Sequence, residues 1–297
     1  MKTDLSRREA IVSLASVAAL ATLPRLRAAD INASLPAAPM SSPHVASSGI
    51  HHSVCKWCYK DIPVEELARA GREIGLQSIE LLDPVDWPVV QRHGLTCAMA
   101  NGTTTIPRGF NRLEHHAEFV PSMIERIRAC ADAGLPNVIC FSGNRAGLAD
   151  EQGLENCVVG LKQIVGEAEK RGVTVCMELL NSKVNHKDYM CDHTTWGVEL
   201  VKRVGSDRFK LLYDIYHMQI MEGDVIRTIE ENHGFIAHYH TGGNPGRHEI
   251  DETQELFYPA IMRAIKATGF NGFVAQEFIP TRDPLASLHA AVKLCTV

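Results

Sequence analysis

VTVCMELL at 173–180, KLLYD at 210–214, FIAHYH at 235–240 and GFVAQE at 272–277 decide how this chain is read. Each is a short apolar run with an acid or a histidine at or near its end: Glu178, Asp214, His240 and Glu277. These four residues lie 36, 26 and 37 positions apart, and one strand, one helix and their loops take roughly 30 residues or more. They therefore recur about once per βα unit. Where parallel strands close into a (β/α)8 barrel, the carboxyl ends of all strands meet at one face, and active sites are built there. Two Glu, one Asp and one His converging on that face suit a divalent cation that takes hard oxygen ligands and one imidazole.

The flanking sequence supplies the frame. Apolar runs at 50–54, 78–82, 95–99 and 137–141 precede the four quoted ones, giving eight predicted strands. Helices are expected over 64–74, 86–93, 114–133, 151–171, 194–204, 225–232, 259–268 and 284–294, from their amphipathic period. Gly134, Gly172, Gly205 and Gly269 follow four of them as stop signals. Strict alternation of strand and helix argues for a parallel sheet. No GxGxxG follows the first strand and no GxxxxGK[ST] occurs anywhere, so an open doubly wound sheet lacks support. The expected fold is α/β: a single-domain (β/α)8 TIM barrel over 49–297.

Composition narrows the function. An apolar fraction of 45% with 22% charged residues is ordinary for a globular enzyme. Net charge is −5 and no long basic run is present, so nucleic acid is not an expected partner. Nine cysteines cannot all pair within one chain. Cys97, Cys140 and Cys176 lie in apolar runs, where a thiol acts as a small hydrophobe. Cys55-x-x-Cys58 invites a redox or zinc reading, but no second CxxC exists and Trp57 sits inside the pair. Packing at a strand end is the expectation.

The N-terminus reads as an address. Residues 1–29 carry Ser6-Arg7-Arg8 ahead of an apolar stretch at 10–23, too short to span a bilayer but suited to a signal peptide. The paired arginines suggest the twin-arginine route, which exports folded proteins, and Ala28-Ala29 offer a cleavage site. A periplasmic location is expected, a cytoplasmic one being the alternative, with no membrane association after signal removal. Residues 30–48, rich in Ser, Pro and Ala, read as a linker.

Longer words match a family. KLLYDIYHMQIMEG at 210–223, PGRHE at 245–249, QEF at 276–278 and CFSGNR at 140–145 resemble the hydroxypyruvate isomerase-like branch of the xylose isomerase-like barrel superfamily of sugar isomerases and epimerases. The resemblance covers about residues 50–290. It implies one divalent metal ion (Mn, Mg, Co or Zn) held by Glu178, Asp214, His240 and Glu277. It also implies that Glu178 and Glu277 are the catalytic acid/base pair and that His217 and Arg247 contact substrate. Glu249, in the same loop as Arg247, and Trp57, after the first strand, are further substrate-binding candidates. Glu80, in the second strand, is a candidate for the pocket wall. Three departures stand out. Hydroxypyruvate isomerases proper tend to carry Gln where His240 stands, and a His there resembles the ketose 3-epimerases. The cytoplasmic isomerases lack an export signal. The stretch at 181–193 is longer than the usual loop.

Aldose–ketose isomerisation and epimerisation both begin with removal of a proton from a carbon next to a carbonyl. The expected function is a metal-dependent isomerase or epimerase of a small hydroxy-ketone or sugar, the partner being a small carbohydrate or hydroxy-keto acid. A sugar lyase or dehydratase shares the first step and is one alternative. An endonuclease IV-like hydrolase is another, although it would call for two or three metals and a basic surface. A homo-oligomer stays open.

Overall fold

His51–Cys55 (β1), Ser78–Glu80 (β2), Asn137–Cys140 (β3), Thr174–Leu179 (β4), Phe209–Asp214 (β5), Ile236–Thr241 (β6) and Phe273–Gln276 (β7) are the regular strands of a computed structural model that describes residues 49–297. The signal and linker expected over 1–48 lie outside the described residues. All pairings are parallel, in the order β2-β1-β7-β6-β5-β4-β3.

The third expected strand, 95–99, forms no regular ladder. It still closes the ring between β2 and β3 through single bridges, Ser78↔Thr96, Leu82↔Ala100 and Ala100↔Val138. Side chains intercept the ladder at Ala98. Its N–H donates to Ser78 Oγ at 2.8 Å, and its carbonyl accepts from Asn137 Nδ2 at 2.8 Å. A (β/α)8 barrel therefore stands, with one irregular stave.

Helices surround the ring much as expected, with two differences. The stretch 151–171 divides into Asp150–Lys162 and Val165–Arg171. An additional helix, Ile215–Met221, starts directly after β5, where the Asp214 carboxylate caps it by accepting from the His217 N–H at 3.2 Å. Among the described residues no helix is long and apolar enough to cross a membrane.

Strand alternation decides what faces inward. Met99, Ile139, Cys176 and Leu212 form a small cluster of their own, while their strand neighbours join the main layer between sheet and helices. The small cluster thus fills the barrel. Glu178 lies two residues beyond Cys176 and Asp214 two beyond Leu212, which puts both carboxylates on the inner face at the carboxyl ends. A register shift does the same for β6. Leu211 pairs with Ile236 but Leu212 pairs with His238, so Ala237 is an extra residue. Because a one-residue slip exchanges the faces of a strand, this bulge sets His238 and His240 opposite the inward Leu212 and Asp214.

Candidate active site

Glu178 is the penultimate residue of β4, Asp214 ends β5, His240 is the penultimate residue of β6, and Glu277 follows β7 directly. All four are buried. One ligand atom from each lies within 4.8 Å of the others. His240 Nδ1 is 2.6 Å from Glu277 Oε2 and 3.5 Å from Glu178 Oε1.

Three carboxylates buried together need positive charge beside them. Arg247 supplies it: its Nη2 donates to Asp214 Oδ2 at 2.9 Å and to Glu277 Oε2 at 2.5 Å, and its Nε donates to the Glu277 carbonyl at 3.1 Å. The loop after β6 aims this side chain inward through left-handed backbone at Gly246 (φ 96°) and at Arg247 itself (φ 59°), a conformation that is costly for a non-glycine residue and is found where function demands it. The guanidinium is sandwiched between the rings of Trp57 and Tyr216, 5.2 Å from each centroid. A cationic group lodged between Asp214 and Glu277 shows that this spot favours positive charge. With three carboxylates and one imidazole as donors, the residues fit a divalent cation, which Glu178, Asp214, His240 and Glu277 would hold.

The environments of the acids differ. Burial pushes the Glu178 carboxyl above its ordinary range. Burial also raises Asp214, to about 8, with Arg247 only partly offsetting it. Burial acts on Glu277 as well, but Arg247 and His240 outweigh it and hold that carboxyl well below the usual range. Two glutamates at one site thus have opposite tendencies to hold a proton.

The other expected residues fall into place unevenly. His217 is fully buried beside the acids, its Nε2 3.6 Å from Asp214 Oδ2 and 3.0 Å from Arg247 Nη1. Burial and the Arg247 charge push its pKa well down, so the ring is neutral. Two donors, the backbone N–H and Nδ2 of Asn181, converge on Nδ1 at 3.2 and 2.6 Å. The Arg247 guanidinium, which can only donate, faces Nε2, so donors reach both ring nitrogens. Trp57 is half exposed and donates from Nε1 to Glu277 Oε1 at 2.7 Å. Glu249, expected at the substrate, is buried instead among the residues that follow Glu277. Both of its oxygens accept from Thr281, and one also accepts from Ser287 Oγ and the Arg282 N–H. Its carboxylate ties the loop carrying Arg247 to the loop after β7.

Three residues that the sequence did not single out, or placed elsewhere, belong to this constellation. Asn181 fixes the His217 ring. Tyr216 covers Arg247 and donates to Asn185 Oδ1 at 3.0 Å. Glu80 is no pocket wall but lies beneath His240, fully buried, with Oε1 2.9 Å from His240 Nε2. The word YDIYH contained a signal for Tyr216; nothing local marked Glu80. Cys55 and Cys58 are both free and buried.

A profile of the xylose isomerase-like TIM barrel family matches residues 87–293. The chain belongs to this family. The putative hydroxypyruvate isomerase of Homo sapiens is 26% identical over 247 residues, which is 82% of this chain and 84% of that protein. The 2-oxo-tetronate isomerase of Pectobacterium atrosepticum is 24% identical over 237 residues, 75% of this chain and 88% of that one. Among solved structures, the AP endonuclease, family 2, of Brucella melitensis superposes with a TM-score of 0.71 at 26% identity, covering 80% of this chain and 96% of its own.

Proposed function

We propose that this chain is a metal-dependent isomerase of a small hydroxy-keto acid or sugar, in which Glu178 and Glu277 exchange a proton with the carbon next to the substrate carbonyl. By class it is an isomerase, as its relatives are named. The observation that carries the finer reading is the convergence of two glutamates with opposite proton affinities on one buried four-residue donor set.

When bound, a divalent cation polarises the carbonyl and neighbouring hydroxyl oxygens and lowers the cost of the negative charge that proton removal creates. Glu277, held ionised by Arg247 and His240, is the base. Glu178, whose burial favours the protonated form, is the acid that returns a proton. Delivery to the adjacent carbon, with the C3 hydroxyl proton passing to the C2 oxygen, converts a 3-hydroxy-2-oxo acid to its 2-hydroxy-3-oxo isomer; delivery to the opposite face of the same carbon is epimerisation. His217 and Arg247 place substrate oxygens, and Trp57 with Tyr216 shields the site. The histidine at position 240 favours ketose epimerisation as the second reading.

The test is incubation of the Mn2+-loaded protein with hydroxypyruvate, a 2-oxo-tetronate and a ketohexose panel in D2O. Solvent deuterium should enter the product next to the carbonyl, with one substrate class dominating. A metal-loaded protein that exchanges no substrate proton in any of them contradicts the reading. Export is proposed as well, on Ser6-Arg7-Arg8 and the apolar 10–23 stretch. A chain that reaches the periplasm of a bacterial host only when the twin-arginine machinery is present would support it, and an uncleaved cytoplasmic chain in both hosts would overturn it.

A further inference from the structure

Beneath the four-residue site, inside the barrel, lies a second polar layer that the proposed reaction does not use. Glu80 ends β2 at the centre of this layer and is fully buried. Its Oε1 accepts from two rings on β6, His238 Nε2 at 2.7 Å and His240 Nε2 at 2.9 Å. Cys55 Sγ approaches the same oxygen at 4.0 Å. No arginine or lysine is among the groups bonded to Glu80. A carboxylate placed in so dry a position is expensive unless it serves its neighbours.

Each nitrogen of His240 therefore faces a carboxylate. Nε2 points down to Glu80; Nδ1 points up to Glu277 and Glu178. We propose that Glu80 is a positioning residue: by accepting the Nε2 hydrogen it fixes the tautomer and plane of His240, so that the Nδ1 lone pair is delivered to the cation. The reason is general. A histidine bound to a metal through one nitrogen gains orientation and basicity when its other N–H donates to a carboxylate. His238, at 2.7 Å from the same oxygen, anchors Glu80 from the side without competing for the metal. The β6 bulge at Ala237 makes this arrangement available, since it turns both histidines inward together. This inference rests on the metal-dependent reading.

The experiment is Mn2+ titration by calorimetry of the wild-type chain, Glu80→Gln and Glu80→Leu, with 15N-edited NMR of the histidine rings in the diamagnetic Zn2+-loaded wild type. In the wild type the His240 ring hydrogen should be found on Nε2 and be protected from exchange. Glu80→Leu removes the acceptor and should weaken Mn2+ binding by about 10- to 100-fold. Glu80→Gln retains an acceptor oxygen and should lose less, which also keeps the test open if the leucine variant does not fold. A wild type in which the hydrogen sits on Nδ1, or folded variants that bind Mn2+ as tightly as wild type, would overturn the positioning role while leaving the metal site standing. A wild type that binds no divalent cation would overturn both.

Discussion

Glu178 and Glu277 share a site yet are driven apart in proton affinity, the first upward by burial and the neighbouring Glu277 charge, the second downward by Arg247 and His240 against the effect of burial. Each should be indispensable for turnover. Glu178→Gln and Glu277→Gln are expected to lower kcat by at least about 10²- to 10⁴-fold, the usual contribution of a general acid or base, with circular dichroism and melting curves still showing a folded barrel. Full activity in either variant would remove that residue from the proton path. Arg247→Lys should also be costly, because a point charge on a flexible stem cannot reproduce the fork that reaches Asp214 and Glu277 together; a rise in KM of about tenfold or more, read from steady-state kinetics, is expected. The four converging residues were legible in the sequence because each lies at the end of an apolar run, and periodicity in βα units sets them at one face. Glu80 was not legible. Its role depends on His238 and His240, more than 150 positions away, and a three-residue strand carries no pattern that marks an inward carboxylate.

At the scale of elements, two connections hold the site in register. The first is Glu249, which ties the Arg247 loop to 281–287. Burial raises its carboxyl, but hydrogen bonds from Thr281 and Ser287 outweigh this and bring it from 4.5 down to about 2. A carboxyl lowered on folding stabilises the protein above its unfolded pKa and loses that contribution as pH falls toward the folded value. Wild type should therefore melt higher than Glu249→Gln at neutral pH, and the gap should close between about pH 4.5 and 2. A gap that is independent of pH would mean that the ionised form contributes nothing. The second connection is the irregular stave at 95–100. Ser78→Ala would leave the buried Ala98 N–H without its acceptor, and urea unfolding should show a loss of about 1–3 kcal/mol. This stave was read from the sequence as an ordinary strand, since 95–99 is apolar enough; the interception by Ser78 and Asn137 comes from neighbouring strands and is invisible locally. The helix Ile215–Met221 was missed for a related reason. IYHM continues the apolar run of β5, and only the Asp214 cap shows where strand becomes helix.

For the whole molecule, the alternation of strands and helices was sufficient to foresee a closed parallel barrel, and words such as YDIYH and PGRHE were sufficient for the family that residues 87–293 match. What the chain pattern could not convey is the second polar layer inside the ring, which arises from β1, β2 and β6 meeting across the closure. The account as a whole turns on one cation at the mouth of this barrel. The most direct measurement is elemental analysis of the purified chain beside the Glu178→Gln/Glu277→Gln double variant, each exposed to Mn2+ and then desalted. About one divalent ion per wild-type chain, absent from the folded variant, is the expected result. Wild-type protein that retains no metal, or a double variant that retains as much as wild type, would contradict the four-residue site and the proton-transfer chemistry built on it.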